Sequence, residues 1–133
     1  MPIIVDASVV VAWFARNQAS DYTDRIRRQA RNQRLHAPAI WPLEFANALW
    51  QLQRRKLLSN GQVDTIIDLA EELDIVVHGE APAPRRLIAV ARDHDLSAYD
   101  ASYLDLALRL RYPVACRDGP LRSALRAAGA KLA

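Results

Sequence analysis

The amino-acid sequence predicts an α/β fold, a three-layer α/β/α sandwich with a short central parallel sheet. Three observations predict it. Short apolar runs recur without polar alternation, at Ile3-Ile4-Val5, Ile75-Val76-Val77 and Val114-Ala115, as expected of strands covered on both faces. Helical segments separate the runs, which is the order a parallel sheet needs. A carboxylate, Asp6 or Asp118, follows close behind the first and the last run. Both would lie beyond the carboxyl ends of strands, where open α/β folds bind their ligands.

In chain order, residues 2–5 read as a buried strand and 7–15 as a helix that begins directly after Asp6. Residues 20–33 form a basic amphipathic helix with Ser20 as its cap. Leu35-His36-Ala37 is a short strand before Pro38. Pro42 suits the first turn of a helix, which good helix formers continue to residue 57. Asn60 and Gly61 punctuate, and 61–73 is helical. Residues 75–77 are a strand, and Gly79-Glu80-Ala81-Pro82-Ala83-Pro84 is a loop. Helices follow over 84–94 and 98–111. Val114-Ala115 is a strand, 119–127 a helix and Gly129 its stop. A last short strand is expected at 130–132.

A length of 133 residues with 51% apolar side chains suits one domain, residues 1–133, with a real core. The longest apolar run falls far short of the roughly 20 residues that cross a bilayer. The N-terminus lacks a basic region and Asp6 interrupts its apolar stretch, so no signal peptide is expected. The single cysteine, Cys116, can form no internal disulfide, which fits a reducing cytoplasm. The formal charge is only +3, but arginines cluster over Arg16–Arg34, at Arg54-Arg55-Lys56 and from Arg109 to Arg126. Arginine suits bidentate phosphate contact, so a polyanion partner is one reading and solvated helix faces the plain alternative.

Two more carboxylates stand at element ends. Glu44 lies in the first turn of its helix among apolar neighbours, with Asn47 three residues on and so on the same face. Asp100 lies in a first turn behind Ser97, where a capping box wants an acid. Each alone is explained by the helix dipole, worth ~0.3–1 kcal/mol. Asp6, trapped between a buried strand and a helix, is harder to explain that way. Jointly, two acids end strands and two begin helices.

The order Ile-Ile-Val-Asp6-Ala-Ser8, Pro42-Leu-Glu44-Phe-Ala-Asn47, Leu-Ser-Ala-Tyr-Asp100-Ala-Ser-Tyr-Leu-Asp-Leu-Ala and Arg117-Asp118-Gly-Pro-Leu resembles a PIN domain. Within that group it is similar to the VapC-type toxins of bacterial toxin–antitoxin pairs. The resemblance runs from residue 2 to about residue 130. It implies a single PIN-like domain acting as a cytoplasmic endoribonuclease dependent on Mg²⁺ or Mn²⁺. Asp6, Glu44, Asp100 and Asp118 would be the catalytic and metal-binding acids, with Ser8, Asn47 and Cys116 in support. Asp105 falls loosely where some relatives carry a further acid. It also implies a homodimer, a VapB-type antitoxin bound in a hetero-oligomer, and an antitoxin arginine offered to the acidic pocket. Cys116 departs from the pattern, since relatives commonly carry Thr or Ser there and a thiol is a weaker hydrogen-bond partner.

This chemistry asks for such residues. Crowded carboxylates repel one another and the phosphate, and a divalent cation with hard oxygen ligands relieves both. Other chemistries lack their residues. His36, His78 and His94 have no metal-ligand spacing, Cys116 has no nearby His, and neither a Walker A motif nor GxGxxG occurs. Trp13, Trp41 and Trp50 suit either core or a docking face. A binding module weakened at Cys116 is the alternative function. A signalling receiver domain is disfavoured, because no adjacent pair of acids follows the first strand.

Overall fold

A computed structural model describes residues 1–133. Its elements are β1 (Ile3–Val5), α1 (Ala7–Phe14), a 3₁₀ turn (Arg16–Gln18), α2 (Asp21–Ala30), β2 (Leu35–Ala37), α3 (Trp41–Arg54), α4 (Asn60–Glu72), β3 (Val76–Val77), α5 (Pro84–His94), α6 (Ala98–Leu110), β4 (Val114–Ala115) and α7 (Gly119–Ala127). The strands form one parallel sheet in the order β3-β2-β1-β4. β1 therefore lies inside the sheet, between β2 and β4, and Ile3, Ile4 and Val5 are fully buried. The expected α/β architecture with a short central parallel sheet is the one found.

Element ends differ from expectation by a few residues where local signals compete. α2 stops at Ala30 rather than 33, and Leu35 then opens β2. The last strand shrinks to a single bridge between Val114 and Leu132, because Gly129 at φ 76° has only just turned the chain back. The Ser20 cap is present as a box with Thr23. A second box, Ser59 with Gln62, starts α4. Two non-glycine residues, Asp95 and Arg111, end α5 and α6 in the left-handed region.

Two helices are apolar on nearly every side. α1 buries six of its eight residues, and α6 buries seven in succession from Ala101 to Ala107. A helix of that kind must be enclosed. α1 packs on α2, α3 and α4, and α6 packs on α5 and α7. One buried acid lies in that run of α6. Asp105 accepts from Arg86 Nε of α5 at 3.0 Å and from Arg109 Nε at 2.8 Å, and this pairing makes its burial tolerable. Two tryptophans are core: Trp13 donates to the Thr23 carbonyl at 2.9 Å, and Trp41 stacks on Phe45. Trp50 is 54% exposed under Arg54.

Much of the arginine clustering has structural partners. Arg16 pairs with Asp24, Arg27 donates to the Trp13 carbonyl, Arg117 to Gln18 and Arg122 to Cys116. The enclosed face of α6 carries the stability. Leu104→Ala should cost about 2–5 kcal/mol in urea denaturation, while Leu43→Ala, at a 67% exposed position, should stay within about 0.5 kcal/mol.

Candidate active site

Each candidate acid is placed by backbone geometry. Asp6 follows β1 directly, and its amide donates to the Ala115 carbonyl of β4 at 3.0 Å. It occupies the N-cap of α1, yet its side chain closes no capping hydrogen bond. Instead Asp6 Oδ2 accepts from Ser8 Oγ at 2.5 Å. The capping explanation for this aspartate therefore fails.

Asp100 tells the same story. Ser97 Oγ accepts from the Asp100 amide at 3.1 Å and caps α6. The reciprocal half of the box is missing, unlike at Ser20 and Ser59, so the Asp100 carboxylate is not spent on its own helix. Asp118 does cap: its Oδ2 accepts from the Leu121 amide at 2.9 Å at the start of α7. Its carboxyl also meets that of Asp100. Glu44, in the first turn of α3, accepts from Tyr103 Oη at 2.7 Å.

Tyr103 is the residue that sequence reasoning missed. It is fully buried on α6, its hydroxyl donates to Glu44, and it lowers the proton affinity of nearby Asp6. Its spacing of three from Asp100 was the available signal, since i and i+3 share a helix face. With both acids beside it, and burial above all, the phenol is held firmly protonated.

The carboxylates feel one another. Asp6 is pushed above the ordinary carboxylate range by burial, against the opposing pull of Ser8, Tyr103 and the first amides of α1. Glu44 is raised by burial and by Asp6, with Tyr103 opposing. Asp100 is raised to about 7, by burial first and then by Asp118, Asp6 and Glu44. All four acids thus share one field. Cys116 sits buried in it, its thiol pushed up to about 12 by burial and by Asp6, Asp118 and Asp100. It is protonated at neutral pH and no nucleophile.

Not every candidate joins this group. Asn47 is exposed on α3, one turn beyond Glu44. Asp105 is held between Arg86 and Arg109. Five residues on from Asp100, it lies well round the helix, so the loose match to a further acid is corrected to a structural ion pair. His36 and His78 do meet, with Nδ1 and Nε2 3.0 Å apart and the rings stacked.

The donor set fits a hard divalent cation, being all carboxylate oxygen and mutually repulsive, with Asp6, Glu44 and Asp100 raised in proton affinity. As they stand, no three carboxylates, thiols or imidazoles already converge on one point. Glu44 is drawn to Tyr103, and Asp118 to the α7 amides.

A parallel sheet in this order, with acids beyond the ends of β1 and β4, is an α/β fold with its candidate site at the carboxyl ends of the strands. The PIN domain family matches residues 3–124, and the chain belongs to it. It is 31% identical over 112 residues to ribonuclease VapC3 of Pyrobaculum aerophilum, covering 83% of this chain and 84% of that protein. It is 32% identical over 107 residues to ribonuclease VapC3 of Mycobacterium tuberculosis, covering 79% and 74%. The crystal structure of PAE2754 from Pyrobaculum aerophilum superposes with a TM-score of 0.64 at 25% identity, covering 93% of this chain and 87% of that one. FitAcB from Neisseria gonorrhoeae gives a TM-score of 0.68 at 18% identity, covering 98% and 95%, a likeness of fold.

A pH dependence follows from Asp100. Between about pH 4 and 7 the native carboxyl keeps a proton that the unfolded chain has lost. Stability in EDTA should therefore fall as pH rises through that window. Asp100→Asn should flatten the fall in thermal denaturation. An equal slope in both proteins would contradict the shared field.

Proposed function

We propose that residues 1–133 act as one PIN-like domain, a cytoplasmic endoribonuclease and the toxin partner of a VapB-type antitoxin. Family membership and likeness to two ribonucleases named VapC3 support the class of activity. The observation that carries the reading for this chain is the common field of Asp6, Glu44, Asp100 and Asp118, read in the proton affinity of Asp100. No helix is long and apolar enough to cross a membrane.

In this reading the four carboxylates hold Mg²⁺ or Mn²⁺. Such an ion, when bound, neutralises charge growing on the phosphate and acidifies the water that attacks it. The chain's own residues prepare the site. Ser8 orients the Asp6 carboxylate by its hydrogen bond. Tyr103, kept protonated, braces Glu44 from the core side and limits its rotamers. The α7 amides steady Asp118. Cys116 fills space beneath the acids without charge.

The partner surface is read from exposed apolar side chains. Leu43, Trp50 and Leu57 stand out on and just after α3, which supports docking of a second copy of this chain or of the antitoxin.

The test is cleavage of total RNA by the chain freed of any partner. Discrete fragments should form with Mn²⁺ or Mg²⁺ and vanish in EDTA or with Asp100→Asn. Calorimetry should show Mn²⁺ binding that Asp6→Asn weakens, independently of turnover. A fully active Asp6→Asn protein would refute the assignment. Tyr103→Phe keeps the packing but removes the hydrogen bond to Glu44, and should cost about 10–100-fold in metal affinity or activity. Cys116→Ser should retain activity, since the thiol makes no essential charge.

A further inference from the structure

We propose that the cavity between the loops after β2 and β3 and helix α6 is a subsite for an unpaired nucleobase of the RNA strand, with Tyr99 as its stacking platform. This rests on the reading of the chain as a ribonuclease. The cavity, of about 280 Å³, opens where the loops after β2 and β3 meet the first turns of α6. Ile40, His78, Glu80, Tyr99, Ser102 and Arg109 are among its walls. Ile40 directly precedes α3, which carries Glu44, and Tyr99 adjoins Asp100. The cavity therefore lies at the carboxyl edge of the sheet, joined to the acids through Ile40 and Tyr99 rather than lined by them.

Its lining is mostly apolar with a few polar groups, the usual make-up of a small-ligand site. Tyr99 is 61% exposed, and Ser102 Oγ donates to its main-chain carbonyl at 2.5 Å, which holds the backbone that presents the ring. An uncovered ring suits stacking on a base, which every nucleotide offers. Arg109 is anchored. Its Nε is taken by the buried Asp105 carboxylate at 2.8 Å, which leaves the outer guanidinium nitrogens to donate. Glu80 supplies an acceptor on the opposite loop.

Charge separates a base from a phosphate as the occupant. Arg86 and Arg109 are balanced locally by Asp105 and Glu80. A site of near-zero net charge holding both donors and acceptors suits the edge of a neutral base. Bases become available to such a pocket only when unpaired. The strand would then run with one base in the cavity and a neighbouring phosphate at the acids.

The test uses Asp100→Asn protein, which binds RNA without cutting it, and a short single-stranded RNA spanning a site cleaved by the wild type. A set of the same RNA carries one abasic position at a time. One abasic position should weaken binding about tenfold. Tyr99→Ala, and separately Ala98→Phe to fill the cavity, should weaken binding of the intact RNA by a similar factor and erase the abasic penalty. Both positions are exposed, so folding is not at stake. In the cleaving chain Tyr99→Ala should raise KM with kcat retained. Unchanged binding and KM in both variants, with wild-type cleavage intact, would overturn the subsite. Absence of cleavage by the wild type with either metal would instead overturn the ribonuclease reading.

Discussion

Gathering four negative charges at one edge of a small sheet opposes folding, and much of this structure answers that constraint. Burial raises Asp6 and Glu44, and mutual repulsion adds to burial at Asp100. The compensation is local and polar. Ser8, the Tyr103 hydroxyl and the α7 amides each give a carboxylate a hydrogen bond. The remainder is carried by apolar enclosure: β1 has no exposure, and α6 is sealed for two turns. The stability of the core tolerates the cost of the charged edge, which is the usual arrangement when a site violates the rules the rest of a fold obeys.

The fold was legible because its signals are local. Unalternating apolar runs mark buried parallel strands wherever they occur, and Ser20, Pro42 and Gly129 sit at helix ends for reasons of backbone geometry. The acids were legible as a pattern, being too often at element ends for capping to explain them all. What was not legible depends on register and on helix azimuth. His36 meets His78 only because β2 pairs with β3. Asp105 reads as one more acid on α6 until α5 delivers Arg86 to it. Tyr103 reads as core, and is core, but its hydroxyl donates to the candidate ligand Glu44.

Helix α6 concentrates several of these roles. It carries Asp100 toward the acids, Tyr103 beneath them, Tyr99 and Ser102 toward the neighbouring cavity, and Asp105 toward α5. A rigid, enclosed helix positions side chains more finely than a loop does. Its first turn is exposed, so solvent reaches the helix on the side of Asp100.

The pairing of β1 with β4 has a consequence for biosynthesis. Asp6 and Asp118 stand far apart along the chain, yet the strands that precede them are hydrogen-bonded neighbours, Ile4 beside Val114 and Val5 beside Ala115. Until β4 docks, Asp6 has no acceptor for its backbone amide and Asp100 lacks its acidic neighbour. A nascent or prematurely terminated chain therefore cannot assemble the full set of acids. The order of synthesis thus becomes an order of assembly, and the group closes only when β4 has paired with β1.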